Sequence, residues 1–211
     1  MEEKYVITIG RQLGSGGKQT GEMLADRLKI SCYDKELIQI ASKESGLGKE
    51  FFEQADEKTG FSLMSSIFGL PSCGGGDFFT NNYLCNESLF KIQSDVIRKL
   101  AGEQSCIFVG RCADYILREH PLRLSIFLSA DTKDRIRRIA ELQNLPEDKA
   151  KTLIEQADKK RAEYYNYYSN KIWGVATSYD LCINTSAFGM EETVACILHF
   201  VQKKFKLKVP F

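Results

Sequence analysis

Three features of the sequence predict an α/β fold, a three-layer sandwich on a mostly parallel sheet. Short β-branched or apolar runs alternate with helical patterns along the chain. The run at 105–110 is apolar almost throughout, as a strand covered on both faces requires. Between the first strand and the first helix stands Gly14-Ser15-Gly16-Gly17, at the kind of junction where parallel sheets bind ligands.

The elements follow in order. Residues 4–10 (KYVITIG) read as a strand, and the helix that starts near Lys18 runs through Leu28. Met23, Leu24 and Leu28 form its apolar stripe, with Glu22, Asp26 and Arg27 turned to solvent. Residues 30–33 suit a brief second strand, and Asp34 suits the N-cap of a helix carrying Leu37, Ile38, Ile40 and Ala41. Residues 47–58 read as a further helix with Phe51, Phe52 and Ala55 on one side. At 60–82 the period breaks at Gly69, Pro71 and the glycine run 74–76, which predicts a flap or long loop. Its apolar residues, Phe61, Leu63, Met64, Ile67, Phe68, Phe78 and Phe79, are too many for a simple linker and suit docking. An amphipathic helix at 86–100, carrying Leu89, Ile92, Val96, Ile97 and Leu100, leads into the strand at 105–110. A helix at 113–118, a strand at 122–128 and a helix capped by Asp131 continue the alternation. Residues 147–168 are charged and rich in tyrosine, 180–184 form the last strand and 190–205 the closing helix. No repeat or second domain is visible, so residues 1–211 read as one domain.

Composition narrows the function classes. There are 29 Lys+Arg against 28 Asp+Glu, a formal charge of +1, so no net field draws the chain onto a nucleic acid polymer or a membrane. A small ligand is favoured. No apolar run approaches the ~18 residues of a membrane span, and the MEEKY start lacks the basic and apolar regions of a signal peptide, which leads to an expectation of a cytoplasmic protein. The seven cysteines are odd in number and contain no C-x-x-C, as reduced, partly buried thiols would be. With only His120 and His199, a histidine zinc site or a Ser-His-Asp triad has little material, and no residue is assigned as a metal ligand.

The glycine loop carries the strongest chemical signal. Its small residues let backbone N–H groups converge beside a helix N-terminus, which suits an anion, and Arg11 and Lys18 add charge that suits a polyphosphate. Arg11, Gly14, Ser15, Gly16, Gly17, Lys18, Gln19 and Thr20 are therefore the candidate nucleotide-binding residues. A tight turn without ligand is the alternative. The pattern G-x-x-x-x-G-K-[ST] is not met, because Gln12 stands six residues before Lys18 and Gln19 follows it.

Here the chain resembles the nucleoside monophosphate kinases, specifically the cytidylate kinase-like family. The likeness rests on GRQLGSGG at 10–17, YDKELI at 33–38, VGRCADY at 109–115, the arginines after Asp131, DKKRAEYY at 158–165 and DLCINTS at 180–186. The resemblance implies a P-loop kinase fold with a helical lid at about 135–168, ATP and Mg2+ as cofactors, and a nucleoside monophosphate or other small acceptor, with CMP one candidate. It implies that Lys18, Arg135, Arg138 and Arg161 act on the transferred phosphoryl group, and that Asp34, Arg111, Asp114 and Asp158 serve the acceptor. Asp34 suits a metal, a substrate hydroxyl or an N-cap equally. In the gapless alignment Gly17 occupies the usual lysine position and Gln19 the usual threonine, and Cys112 replaces the aspartate of the Gly-Arg-Asp motif, with Asp114 two residues on. Tyr164, Tyr165, Tyr167 and Tyr168 suit base stacking, helix packing or a dimer contact. Residues 184–186 suit either the loop beside the donor base or an ordinary polar turn. The apolar flap suits a homodimer. The irregular lysine register leaves a nucleotide-binding sensor without turnover, or a structural protein with an empty loop, as alternatives to the phosphotransferase.

Overall fold

The computed structural model describes residues 4–34 and 81–207, with side chains from Glu87 onward in the second stretch. Two compact units are distinguished, Met1–Lys35 with Leu100–Phe211, and Glu36–Lys99.

In the first unit, five parallel strands form one sheet: β1 (Val6–Arg11), β2 (Ser31–Tyr33), β3 (Cys106–Val109), β4 (Arg123–Ser129) and β5 (Leu181–Asn184), in the order β2-β3-β1-β4-β5. β1 lies between β3 and β4, with Ile9 opposite Val109 and Arg11 opposite Leu128. The connection after β1 leaves to one side and the connection after β3 crosses to the other. The carboxyl end of β1 is thus the point where strand order reverses, and open parallel sheets leave a crevice there.

Burial on both faces explains why β3 is uniformly apolar; all four of its residues are buried. One face of the sheet contributes Ile7, Ile9, Ile107, Val109, Leu124, Ile126 and Leu128 to a core shared with Leu24 and Ala25 of α1 (Gly17–Leu28) and with Val194, Ile197, Leu198 and Val201 of α6 (Thr185–Phe205). On the opposite face Phe127 meets the rings of Trp173 and Tyr179, and Phe108 stacks on Tyr33.

The remaining helices of this unit are α3 (Ala113–Ile116), α4 (Thr132–Gln143) and α5 (Glu147–Ser169), with a 3-10 turn at Ala176–Ser178. Asn144 in the left-handed region ends α4, and Pro146 precedes α5, so the two form a tight antiparallel hairpin. Its interior is Ile139, Ala150 and Ile154, with Leu13 of the glycine loop packed against them. Asp131 occupies the N-cap position of α4, as expected, yet its carboxylate makes no cap and instead accepts Asn184 Nδ2–H (2.9 Å). The closing helix starts five residues earlier than expected, at Thr185, because Gly189 (φ 77°, ψ 178°) joins a first turn to the main helix.

Of the second unit the structure describes helix α2 (Asn81–Glu103) as far as Lys99. Up to Lys99, Leu89, Val96 and Ile97 are its buried apolar residues among the described side chains. The helix begins at Asn81, before the expected Asn86 and inside the segment read as a flap. The helix expected after Asp34, the helix at 47–58 and the rest of the flap lie outside the described residues. Among the described residues no helix is long and apolar enough to cross a membrane. Cys32, Cys106, Cys112, Cys182 and Cys196 are free thiols.

Ile107, fully buried in β3, and Leu142, 74% exposed on α4, are equally apolar but differently placed. Ile107→Ala is expected to lower unfolding stability by about 2 to 5 kcal/mol. Leu142→Ala is expected to stay within about 0.5 kcal/mol of the parent in the same urea titration.

Candidate functional site

The glycine loop emerges from β1 at the crevice. Gly14 (φ 81°) and Gly16 (φ 79°) both sit in the left-handed region, which glycine adopts without strain, before α1 begins at Gly17. Gly16, the N-cap of α1, has no side chain with which to cap it. The loop closes on itself through Ser15, whose N–H and hydroxyl reach Gln12 O at 3.3 and 2.9 Å.

The hairpin of α4 and α5 grips this loop. Asp158 Oδ1 accepts the Leu13 N–H (2.8 Å), Arg135 Nε donates to Leu13 O (2.8 Å), and Arg135 closes the circuit with an ion pair to Asp158 Oδ2. The Arg135 and Asp158 side chains are only 8% and 15% exposed, so each needs the other. Arg138 donates through Nη1 to Gly14 O. On the other flank Thr185 Oγ1 lies 3.0 Å from Ser15 O.

Further cations gather at the same edge. Arg161 lies 3.6 Å from Asp158 Oδ1 and reaches Arg11 O at 3.4 Å. Burial lowers the Arg161 pKa; Asp158 opposes that, and neighbouring Arg111 and Arg135 add to it. The Arg11 guanidinium lies directly on Gly110, where any Cβ would collide with it. Arg111 follows, itself at φ 59°, with its guanidinium 5.9 Å from the centre of the Tyr164 ring. Arg11, Arg111, Arg135 and Arg161 thus crowd the end of β1, and Asp158 is the carboxylate ion-paired to Arg135 and Arg161.

Lys18 points elsewhere. Its side chain is 63% exposed and Nζ lies 2.8 Å from Oδ2 of Asp34, a buried carboxylate at the end of β2. Gln19 is exposed on α1. Thr20 is withdrawn from the loop surface: it is fully buried, with Oγ1 3.1 Å from Gly16 O and 3.0 Å from Met190 Sδ. Asp114 is likewise withdrawn. Its carboxylate is buried beneath Tyr165, whose hydroxyl donates to it at 2.7 Å. Burial raises the Asp114 pKa, against the Tyr165 bond and the charges of Lys171 and Arg123. Burial also pushes up the Cys112 thiol.

The sequence marks Arg135 and Asp158 as site residues but not their contact, and it does not mark Met190. Met190 places its methyl group where a Cβ on Gly16 would stand, and the Asp158–Arg135 pair ties the loop to the hairpin. A methionine opening a helix carries no chemical signature. The partners of the ion pair are 23 residues apart, and only the packing of α4 on α5 brings them together.

A parallel sheet of this strand order, with a glycine loop after β1 and a helical hairpin over it, defines a kinase-type P-loop fold. Solved structures share it: a gluconokinase from Sinorhizobium meliloti has a TM-score of 0.56 at 11% identity, covering 96% of this chain and 94% of its own. A shikimate kinase from Bacteroides thetaiotaomicron has a TM-score of 0.53 at 14% identity, covering 94% and 98%. The cytidylate kinase-like family model matches residues 6–187, and the chain belongs to that family. A curated cytidylate kinase from Methanobrevibacter smithii is 25% identical over 193 residues, 92% of this chain and 96% of its own. An uncharacterized protein from Eubacterium ventriosum, also 25% identical, has a TM-score of 0.71 and covers 94% and 99%.

Asp158→Ala is expected to destabilise the protein by about 3 to 5 kcal/mol, because it leaves Arg135 buried without its carboxylate. Arg135→Leu/Asp158→Leu, measured by the same denaturant titration, is expected to cost less. Asp114 has the opposite signature. Its raised folded pKa means the native state binds the proton more tightly, so wild-type stability falls as pH rises from about 4 through that pKa. Asp114→Asn, which still accepts from Tyr165, removes this slope. Urea midpoints between pH 4.5 and 7.5 are expected to show the variant gaining on the parent as pH rises.

Proposed function

We propose that the protein is an ATP-dependent phosphotransferase that moves the γ-phosphoryl group to a nucleoside monophosphate or a similar small anionic acceptor. One observation carries the reading: guanidinium groups from β1, the β3–α3 turn, α4 and α5 converge beside the glycine loop that opens α1. Half-buried like charges crowded in this way are stabilised by an anion, and a polyphosphate supplies several charges at once. Family membership and the curated relative support the same reading.

The residues present fit both cofactors. The Ser15 N–H is held by Gln12 O, and the N–H groups that open α1 suit phosphate oxygens, with Arg11 and Arg138 flanking the loop. Magnesium is commonly held by one or two carboxylates together with substrate phosphates, and Asp34, already beside the Lys18 ammonium, provides a buried carboxylate where a cation is stabilised. Bound there, the ion would neutralise charge on the phosphates and orient them. Thr20, turned inward, is not part of that set.

Phosphoryl transfer depends on positioning and charge stabilisation more than on a strong base, so the residue roles follow from charge. Gly14 to Gly17 hold the donor phosphates. Arg161, exposed enough to reach a ligand and held over Arg11, stabilises charge on the moving phosphoryl group. Arg111 orients the acceptor, and Asp158 keeps the hairpin and the loop in register. Lys18 takes the charge-balancing role by leaving Asp34.

The engagement of Lys18 with Asp34 and the burial of Thr20 favour one second reading, a nucleotide sensor that binds without turnover. A coupled assay for ADP with a panel of nucleoside monophosphates separates the two. Phosphotransfer predicts ADP formation with at least one acceptor and a loss of kcat of about a hundredfold or more in Arg161→Ala, given what such arginines contribute. The sensor predicts a rise in Tm with Mg-ATP and no ADP with any acceptor. Neither effect would leave the loop without a ligand.

A further inference from the structure

Gly17 has no conformational reason to be a glycine. Gly14 and Gly16 serve left-handed backbone, whereas Gly17 opens α1 outside that region. What excludes a side chain there is the stem of Arg11: a Cβ on Gly17 would stand 2.6 Å from both Cβ and Cγ of Arg11. The head of the same side chain lies over Gly110, where Nη1 and Cζ leave no room for a Cβ either. A bare Cα on the glycine loop and another on the β3–α3 turn thus form the track along which Arg11 runs.

That track joins the two halves of the site. It starts where α1 opens and ends at Gly110, the residue before Arg111, so the guanidinium spans from the donor loop to the acceptor turn. Arg161 Nη1 donates to Arg11 O (3.4 Å) and the strand register sets Arg11 opposite Leu128, so the backbone that launches the side chain is fixed by α5 and β4. Lys18 is placed differently: its Nζ lies 2.8 Å from Asp34 Oδ2 and reaches the loop only by leaving that carboxylate. Phosphate-binding glycine loops commonly send a lysine from the start of the helix to the β- and γ-phosphates. Here that start is Gly17, and the cation laid across it is Arg11.

We propose that Arg11 is a catalytic residue, the cation that meets the β,γ-bridging oxygen and the transferred phosphoryl group in place of a helix-borne lysine, and that Gly17 is bare to admit it. The inference rests on the phosphotransferase reading above and adds the residue that carries its central charge. In the transfer, a lone pair on an anionic acceptor oxygen forms the bond to the γ-phosphorus. The bond from that phosphorus to the bridging oxygen breaks, its electron pair leaves with ADP, and no proton need move. Negative charge grows on the bridging oxygen, and a guanidinium already in position stabilises it without reorganisation.

Steady-state kinetics of the full-length protein with Mg-ATP and a panel of nucleoside monophosphates, alongside calorimetric titration with Mg-ATP, test this. Arg11→Met keeps an unbranched stem on Gly17 and removes the charge; it is expected to lower kcat by about a hundredfold or more while Mg-ATP affinity changes by less than about tenfold. Arg11→Lys keeps the charge and is expected to hold kcat within about tenfold of wild type. Arg11→Ala clears the space over Gly17, so adding Gly17→Lys to it is expected to raise kcat by about tenfold or more, and adding Gly17→Met is not. A packing role alone predicts no rescue by charge and equal losses in Arg11→Lys and Arg11→Met. Those equal losses overturn the proposal, as does a kcat in Arg11→Met within about tenfold of wild type. Absence of rescue in an Arg11→Ala/Gly17→Lys protein whose Tm matches that of Arg11→Ala overturns it too. Should the double variant fail to fold, the lysine and methionine variants at Arg11 decide the question. If the wild-type protein forms no ADP with any acceptor, the phosphotransferase reading falls, and this inference with it.

Discussion

The Asp158 carboxylate is the contact on which the rest of the site depends. One oxygen fixes the Leu13 N–H and the other the Arg135 guanidinium, so a single side chain decides where the glycine loop ends and where the hairpin lies. Leu13 adds its side chain to the hairpin interior, and Arg135 returns a bond to Leu13 O. A buried ion pair of this kind adds less to net stability than to uniqueness, because its components are costly to bury in any other arrangement. The loop's shape is therefore inherited from helices more than 100 residues away in sequence.

Sheet topology supplies the second constraint. With β1 between β3 and β4, the carboxyl ends of three strands deliver the glycine loop, the Gly110-Arg111 turn and the Ser129–Asp131 junction to one edge. The crowding of arginines there follows from that convergence, and Arg111 and Arg135 add to the lowering of the Arg161 pKa that burial begins. Gly110 is part of the same solution, since the Arg11 guanidinium reaches across the edge over its bare Cα.

Much of the fold was legible because apolar periodicity reports burial directly. The uniform run in β3 implied a strand covered on both sides, and the strand, loop and helix of residues 6–28 were visible from composition alone. The start of α2 was not: Asn81 and Asn82 fall in the flap that the breaks at Gly69, Pro71 and 74–76 predict, and residues 81–86 carry no clear stripe to mark a helix. At the site, the glycine loop and Arg111 could be read because small residues and a strand end are local signals. Side-chain direction could not. Lys18 turning to Asp34, Thr20 turning to Met190 and Asp114 going under Tyr165 are each decided by a partner from another element.

The hairpin is pinned at two places on α5, at Asp158 to the glycine loop and at Tyr165 to Asp114, while the tip around Leu142 stands exposed. This makes it a lever with its fulcrum near the sheet edge. From Asp158 to Glu147 the helix arm is about 16 Å long at 1.5 Å per residue, so a tilt of about 10° carries the tip roughly 3 Å while the fulcrum hardly shifts. Excursions of the outer arm can therefore be large without loosening the arginines at its base.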